Sequence, residues 1–195
     1  MATPFSIKDV LKVKSGDLRG IQDAMKRLAE KEVLVGFPED TTVREDEGID
    51  GISNASLGYI HDNGDPMHNI PARSFMIPGI ISAQEKITKR LGSVCKQVLR
   101  DKNVLTADQG LHQVGLTAAA ALKMYISDGV PPPLADATLR ARQRKGKSIA
   151  KAATKELARR AQGEVPGIDL AKPLIETGAM RNAISYVIRK RKERK

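Results

Sequence analysis

Two consecutive amphipathic stripes, together close to fifty residues long, constrain this chain more than any other feature. In the first, predicted to span about 79–102, Ile80, Ile87, Leu91, Val94, Cys95 and Val98 recur at helical intervals. In the second, about 107–127 with Thr106 as its cap, the stripe is Leu111, Val114, Ala118, Leu122, Tyr125 and Ile126. A link of only about four residues makes the two helices antiparallel neighbours. Gly115 and the run Ala118 to Ala121 keep the second helix thin, so another backbone can approach it closely. Asp128-Gly129 ends it, and Pro131-Pro132-Pro133 forbids its continuation.

The remaining segments are shorter. Residues 6–13 read as a helix capped by Ser6, and residues 16–31 as a second one capped by Ser15 or Asp17, with Leu18, Ile21, Met25 and Leu28 as its apolar stripe. The β-branched run 33–37, ended by Pro38, reads as a strand. Residues 38–53 are acidic, glycine-bearing and aperiodic, which reads as a mobile loop. Asn54 is placed to cap a helix through about Asp62, stopped by Asn63-Gly64. The proline-bearing stretch 65–78 is extended or turning, with Phe75 and Met76 pinning it to the core. Ile184, Tyr186 and Ile188 alternate as in a strand, and pairing with 33–37 gives a small sheet.

With three Phe, three Tyr and no Trp in 195 residues, the core must be built from small aliphatic side chains. The expected fold class is α/β in the α+β sense. A small, mostly antiparallel sheet packs with two long antiparallel helices, beside an N-terminal helix and an extended basic arm. The expected division is 1–32 as an N-terminal helical segment and 33–130 as the core. Residues 131–170 form a basic arm or insertion, and 171–195 a strand that completes the core and ends in a basic tail. Residues 147–161 have the pattern of an exposed helix whose apolar content is too low for core packing.

Charge is unevenly distributed. The formal net charge is +10, yet residues 138–160 alone carry +8 and residues 189–195 carry +5, which leaves the rest at −3. Residues 39–50 hold six acids and one Arg. Such asymmetry favours charged partners, either nucleic acid or a neighbouring subunit, while the plainer reading is a pair of solvated basic segments. No aromatic interleaves the basic residues between Tyr125 and Tyr186, which argues against base stacking and leaves only salt-sensitive phosphate contact as a nucleic-acid mode.

Motifs of chemistry are scarce. No phosphate loop, dinucleotide fingerprint or nucleophile elbow is present. The single cysteine, Cys95, falls on the first stripe and reads as a core residue; it excludes an internal disulfide or a cysteine-pair metal site. His61, His68 and His112 lack metal-ligand spacing, and His112 reads as helix surface or core. The expectation is therefore no enzyme, no cofactor, no metal and no catalytic residue, with an unrecognised hydrolase as the weakest alternative. The N-terminus lacks the pattern of a secretory signal and no run approaches the roughly 20 apolar residues of a membrane span, so a soluble product of the cytoplasm is expected.

Three segments carry a resemblance. They are Asn54-Ala55-Ser56-Leu57-Gly58-Tyr59-Ile60-His61-Asp62-Asn63-Gly64, Asn69-Ile70-Pro71-Ala72-Arg73-Ser74-Phe75-Met76-Ile77-Pro78, and residues 172–187 around Leu174-Ile175-Glu176-Thr177-Gly178-Ala179-Met180. With Pro132-Pro133-Leu134 and Thr138-Leu139-Arg140 between them, their order and spacing resemble the tail completion or head–tail joining proteins of the tailed-bacteriophage neck. Asn63 stands where that family commonly has an aromatic and Ser74 where it has proline, and residues 143–170 are longer and more basic than usual.

The resemblance implies a structural virion protein, made in the bacterial host cytoplasm. It implies a homo-oligomeric ring, six being one expected count, between the connector or head-completion proteins and the tail tube or terminator. A tail terminator ring and a basic DNA-associated virion protein are the alternatives. The candidate subunit-interface residues are Arg73, Phe75, Arg140, Arg142, Arg144, Lys145, Thr177 and Arg181, with the acidic 39–50 and basic 138–160 segments supplying complementary charge. Turn chemistry alone also accounts for Pro71, Arg73, Phe75 and Thr177-Gly178.

Overall fold

The computed structural model of the protein describes residues 18–38, 52–101, 104–145 and 147–191. The segment read from sequence as a helix at 6–13 lies outside the described residues, as do residues 39–51 of the acidic loop read at 38–53 and the last four residues of the basic tail. The fold is α+β, with eight helices and one two-stranded sheet among the described residues.

Helix α5 (Val104–Asp128) is the axis on which the rest is assembled. Leu122 and Ile126 on its stripe are fully buried, and Leu111, Val114 and Ala118 nearly so. It starts three residues earlier than the sequence suggests, so Thr106 lies within its first turn rather than capping it.

The first long stripe divides into two helices, α3 (Met76–Ser82) and α4 (Gln84–Asp101), with Ala83 leaving the helical path at φ −111°, ψ 8°. The two parts of the stripe face different clusters. Ile80 packs into a cluster around Phe75, Leu122 and Ile184, whereas Ile87, Val94 and Val98 pack with Ala107, Val114 and Ala24 of helix α1 (Leu18–Ala29). Helix α5, unbroken, contributes to both, with Leu122 and Ile126 in the first and Ala107 and Val114 in the second. Helices α4 and α5 are antiparallel neighbours: Val94 lies against Gly110, and Arg90 Nη1 donates to Gln113 Oε1 at 3.4 Å. Cys95 sits at the half-buried edge of this packing rather than inside it.

Strand β1 (Lys31–Gly36) pairs antiparallel with β2 (Ser185–Lys190), with Val33 opposite Ile188 and Val35 opposite Tyr186. A two-stranded ribbon is marginal in water, so its stability derives from α5 beneath it. The contact is close: a Cβ at Gly115 would lie 2.2 Å from the Tyr186 ring. The thin face of α5 thus admits a ring from β2. Ile184, which precedes β2, is buried, Tyr186 and Ile188 are half-buried and Val187 is exposed, as their alternation requires.

One expectation is overturned. The basic stretch is not an extended arm but a pair of packed helices, α6 (Asp136–Arg144) and α7 (Lys147–Ala161), with a core of their own. Leu139 and Ala153 are fully buried, and Leu134 and Ala171 close the cluster from the flanking chain, with Leu157 beside them. The helices themselves carry too few apolar residues for a core. They succeed because alanines let them approach closely and because two of the core residues come from outside them.

Polar bonds finish this unit. Glu156, 1% exposed, accepts from Arg160 Nε at 3.0 Å and from the Gly167 N–H at 2.8 Å. Arg160 also donates to Leu134 O and Asp136, and Arg159 to Glu164 and Asp169. Much of the segment's positive charge is therefore spent internally.

Candidate functional site

Helix α2 (Asn54–Asn63) begins the site. Its cap is Ser53, whose hydroxyl accepts from the Ser56 N–H, rather than Asn54, which is buried inside the first turn. Gly64 ends it at φ 80°, donating to Ile60 O, as the Asn-Gly pair predicts. The end of α2 then organises the proline loop. His61 O accepts the Arg73 N–H at 2.7 Å, and Asp62 Oδ1 accepts the N–H groups of Phe75 and Met76 at 2.7 and 3.0 Å. Asp62 thereby supplies the cap that α3 lacks at its own start.

Arg73 crosses from this loop to the proline run. Nε donates to Pro132 O at 2.9 Å and Nη2 to Pro133 O at 3.2 Å, and the residue is 6% exposed. Arg142 on α6, also 6% exposed, reaches the other way, with Nη1 donating to Lys172 O at 3.0 Å. Its Nε is buried without a hydrogen-bond partner. Lys145, just past α6, pairs with Glu176. Thr177 Oγ1 accepts the Ala179 N–H at 3.2 Å, and Gly178 at φ 83° opens the short helix α8 (Ala179–Ala183).

These bonds surround an open cleft of about 1140 Å³. Its lining draws on every segment of the resemblance: His61 and Asn63 from α2, Pro71 and Arg73 from the loop, Pro132 and Pro133, Thr138 and Arg142 from α6, and Leu174 with Glu176 through Met180. Segments more than a hundred residues apart in sequence meet at one place.

The cleft is electropositive and partly dry. Burial, and then the charge of Arg142, hold the Arg73 guanidinium below its ordinary value. Burial does the same to Arg142, opposed by the negative charge of Glu176. Burial first and Arg73 second lower the His61 imidazole, whose Nδ1 is buried without a partner. Neither Arg73 nor Arg142 has a carboxylate within ion-pair distance among the described residues.

The sequence-derived candidates separate accordingly. Arg73, Arg142, Lys145 and Thr177 line the cleft. Arg140 and Arg144 are exposed on α6 and do not. Arg181 is half-buried, donating to Ser127 Oγ at 3.0 Å. Phe75 is fully buried, edge-on to Phe37 at 6.5 Å, and offers no surface to a partner. Sequence reasoning missed His61, Glu176 and the Pro132–Pro133 carbonyls as parts of the same site; all lie in the segments of the resemblance, but only the fold brings them together.

His61 makes no side-chain bond to a hydroxyl or carboxylate among the described residues, so no nucleophile–base pair is assembled around it. His112 lies elsewhere, exposed on α5 with Nδ1 3.1 Å from the Tyr186 hydroxyl. Among the described residues no group of three His, Cys, Asp or Glu is placed to hold a metal ion, and no helix is long and apolar enough to cross a membrane. Comparison with protein-family models, with curated proteins and with solved structures finds no match to this chain.

Proposed function

We propose that the chain is a structural virion protein of the tailed-phage neck, a tail completion or head–tail joining subunit that assembles as a ring between connector and tail. One observation carries the reading. The segments of the resemblance, scattered from residue 54 to residue 187, converge on a single cleft, where Arg73 bonds the Pro132 and Pro133 carbonyls, while Arg142 and Lys145, from outside those segments, bond Lys172 and Glu176.

The chemistry of the cleft supports binding rather than turnover. It offers cations, carbonyls and apolar walls, and among the described residues no activated nucleophile. The exposed basic residues Arg140, Arg144, Lys151 and Lys155 on the outer faces of α6 and α7 add a second charged surface to present to neighbouring layers. The test is a cryo-electron-microscopy map of the virion that encodes this chain. Ring density for it at the neck is the expected result; intact virions without it at any position overturn the reading.

A further inference from the structure

The charge of the cleft is incompletely answered. Buried charges are normally paired, because desolvating an ion without a partner is costly. Here two guanidinium groups, each 6% exposed, share the cleft, the charge of Arg142 acts on Arg73, and among the described residues both are held by backbone carbonyls. Among the described residues Glu176 is the one carboxylate in the lining, and Lys145 already engages it. Arg142 Nε and His61 Nδ1 remain without partners at the same cleft. Two cationic groups in excess, fixed at the base of an open trough, describe a receptor for an oxyanion.

The walls indicate what bears that oxyanion. Leu57, Ile70, Leu134, Leu174 and Met180 make them substantially apolar, and the volume exceeds the roughly 300–1,000 Å³ of a small-molecule pocket. A thin extended peptide meets both conditions. A duplex does not, because its phosphates lie on the outside of a stiff cylinder that cannot follow a recessed guanidinium. Single-stranded nucleic acid would find no Phe, Tyr or Trp in the lining, among the described residues, to stack on.

The chain itself contains a segment of the required chemistry. Residues 39–50 carry six carboxylates and one Arg. We infer that the cleft between Arg73 and Arg142 binds a carboxylate of an extended acidic segment, and that this segment is residues 39–50 of a second copy of the chain. The contact is heterologous, the type that generates rings, and the inference rests on the reading of the protein as a self-assembling subunit.

The probe is a fluorescent twelve-residue peptide of the sequence 39–50, titrated with the full-length protein and followed by anisotropy. The wild-type protein is expected to bind it, and a peptide with Glu45, Asp46 and Glu47 changed to Gln, Asn and Gln to bind at least tenfold more weakly. Arg142→Ala should weaken binding at least tenfold. Because Arg142 also bonds Lys172 O, Lys145→Ala, at an exposed side chain, is the second variant and should weaken it severalfold. Arg140→Ala, outside the cleft, should change nothing.

Absence of binding overturns the inference, as does equal loss with Arg140→Ala. So does a twelve-base-pair duplex that displaces the peptide at lower concentration than the unlabelled peptide itself. Binding that appears only after the protein's own Glu45, Asp46 and Glu47 are neutralised would place the segment in its own chain's cleft, and also overturns it. The two readings fail separately. Peptide binding with the stated dependence supports the inference even where no ring is found at a neck, and a neck ring formed by protein that does not bind the peptide removes the inference alone.

Discussion

The body around α5 and the helical pair α6–α7 are held together by different forces. In the body, Phe75, Leu122, Ile126 and Ile184 are buried essentially completely, each worth about 1.5–3 kcal/mol of apolar transfer. In the pair, Leu139 and two alanines form a small apolar centre, and a buried carboxylate with two arginines closes it. The first region tolerates exchange of polar groups at its surface but not loss of volume. The second has little volume to lose and depends on satisfying buried charge. The candidate cleft lies on the seam, with Arg73 supplied by one region and Arg142 by the other.

The largest expected effect falls on the body. Phe75→Ala removes a fully buried ring that packs edge-on to Phe37, and should cost roughly 3–5 kcal/mol in urea unfolding. The comparison breaks if the variant unfolds at the wild-type midpoint while losing assembly. Phe75 would then be the contact residue that the sequence reading proposed, not a core residue.

That contrast also explains what was legible in the sequence. Elements of the body announce themselves by period, because each presents one apolar face to one partner. The strand at 33–37, its antiparallel partner and both long helices were therefore readable, apart from the break at Ala83. The pair α6–α7 was legible as helix in part but not as a packed unit, since Leu134 and Ala171 come from chain that no helical pattern includes. Glu156 illustrates the same limit. A lone acid in a basic run reads as solvated, and nothing local reveals that Arg160 and the Gly167 N–H will bury it. The cleft is intermediate: its residues stood in the motif segments, but the bond from Arg73 to Pro132 spans 59 positions and follows from no spacing rule.

An intermediate effect is expected in the helical pair. Glu156→Ala leaves Arg160, whose side chain is 11% exposed, without its buried partner and should cost roughly 3 kcal/mol. The loss should be local. Hydrogen exchange is expected to speed up in α7 and around Gly167 while α5 keeps its protection. Equal loss of protection in both would show that the two regions unfold as one unit and would dissolve the comparison drawn above.

The smallest effect concerns the seam and depends on pH. Burial and Arg73 lower the folded-state pKa of His61 from its ordinary value near 6.5. The unfolded chain therefore binds a proton before the folded one does. Stability is unaffected above about pH 6.5 and declines as the pH falls below it. Asp65, Glu85 and Asp169 are also held below their ordinary values, but those lie near 4, so their contributions are lost only in more acidic solution. Comparing urea midpoints at pH 7.5 and 5.5 isolates the histidine. The wild-type midpoint should fall over this interval, and that of His61→Gln should fall less. Identical declines would mean that His61 is as easily protonated in the folded protein as in the unfolded chain. The seam would then be wet rather than partly dry, and the unanswered charge of Arg73 and Arg142 would be met by solvent.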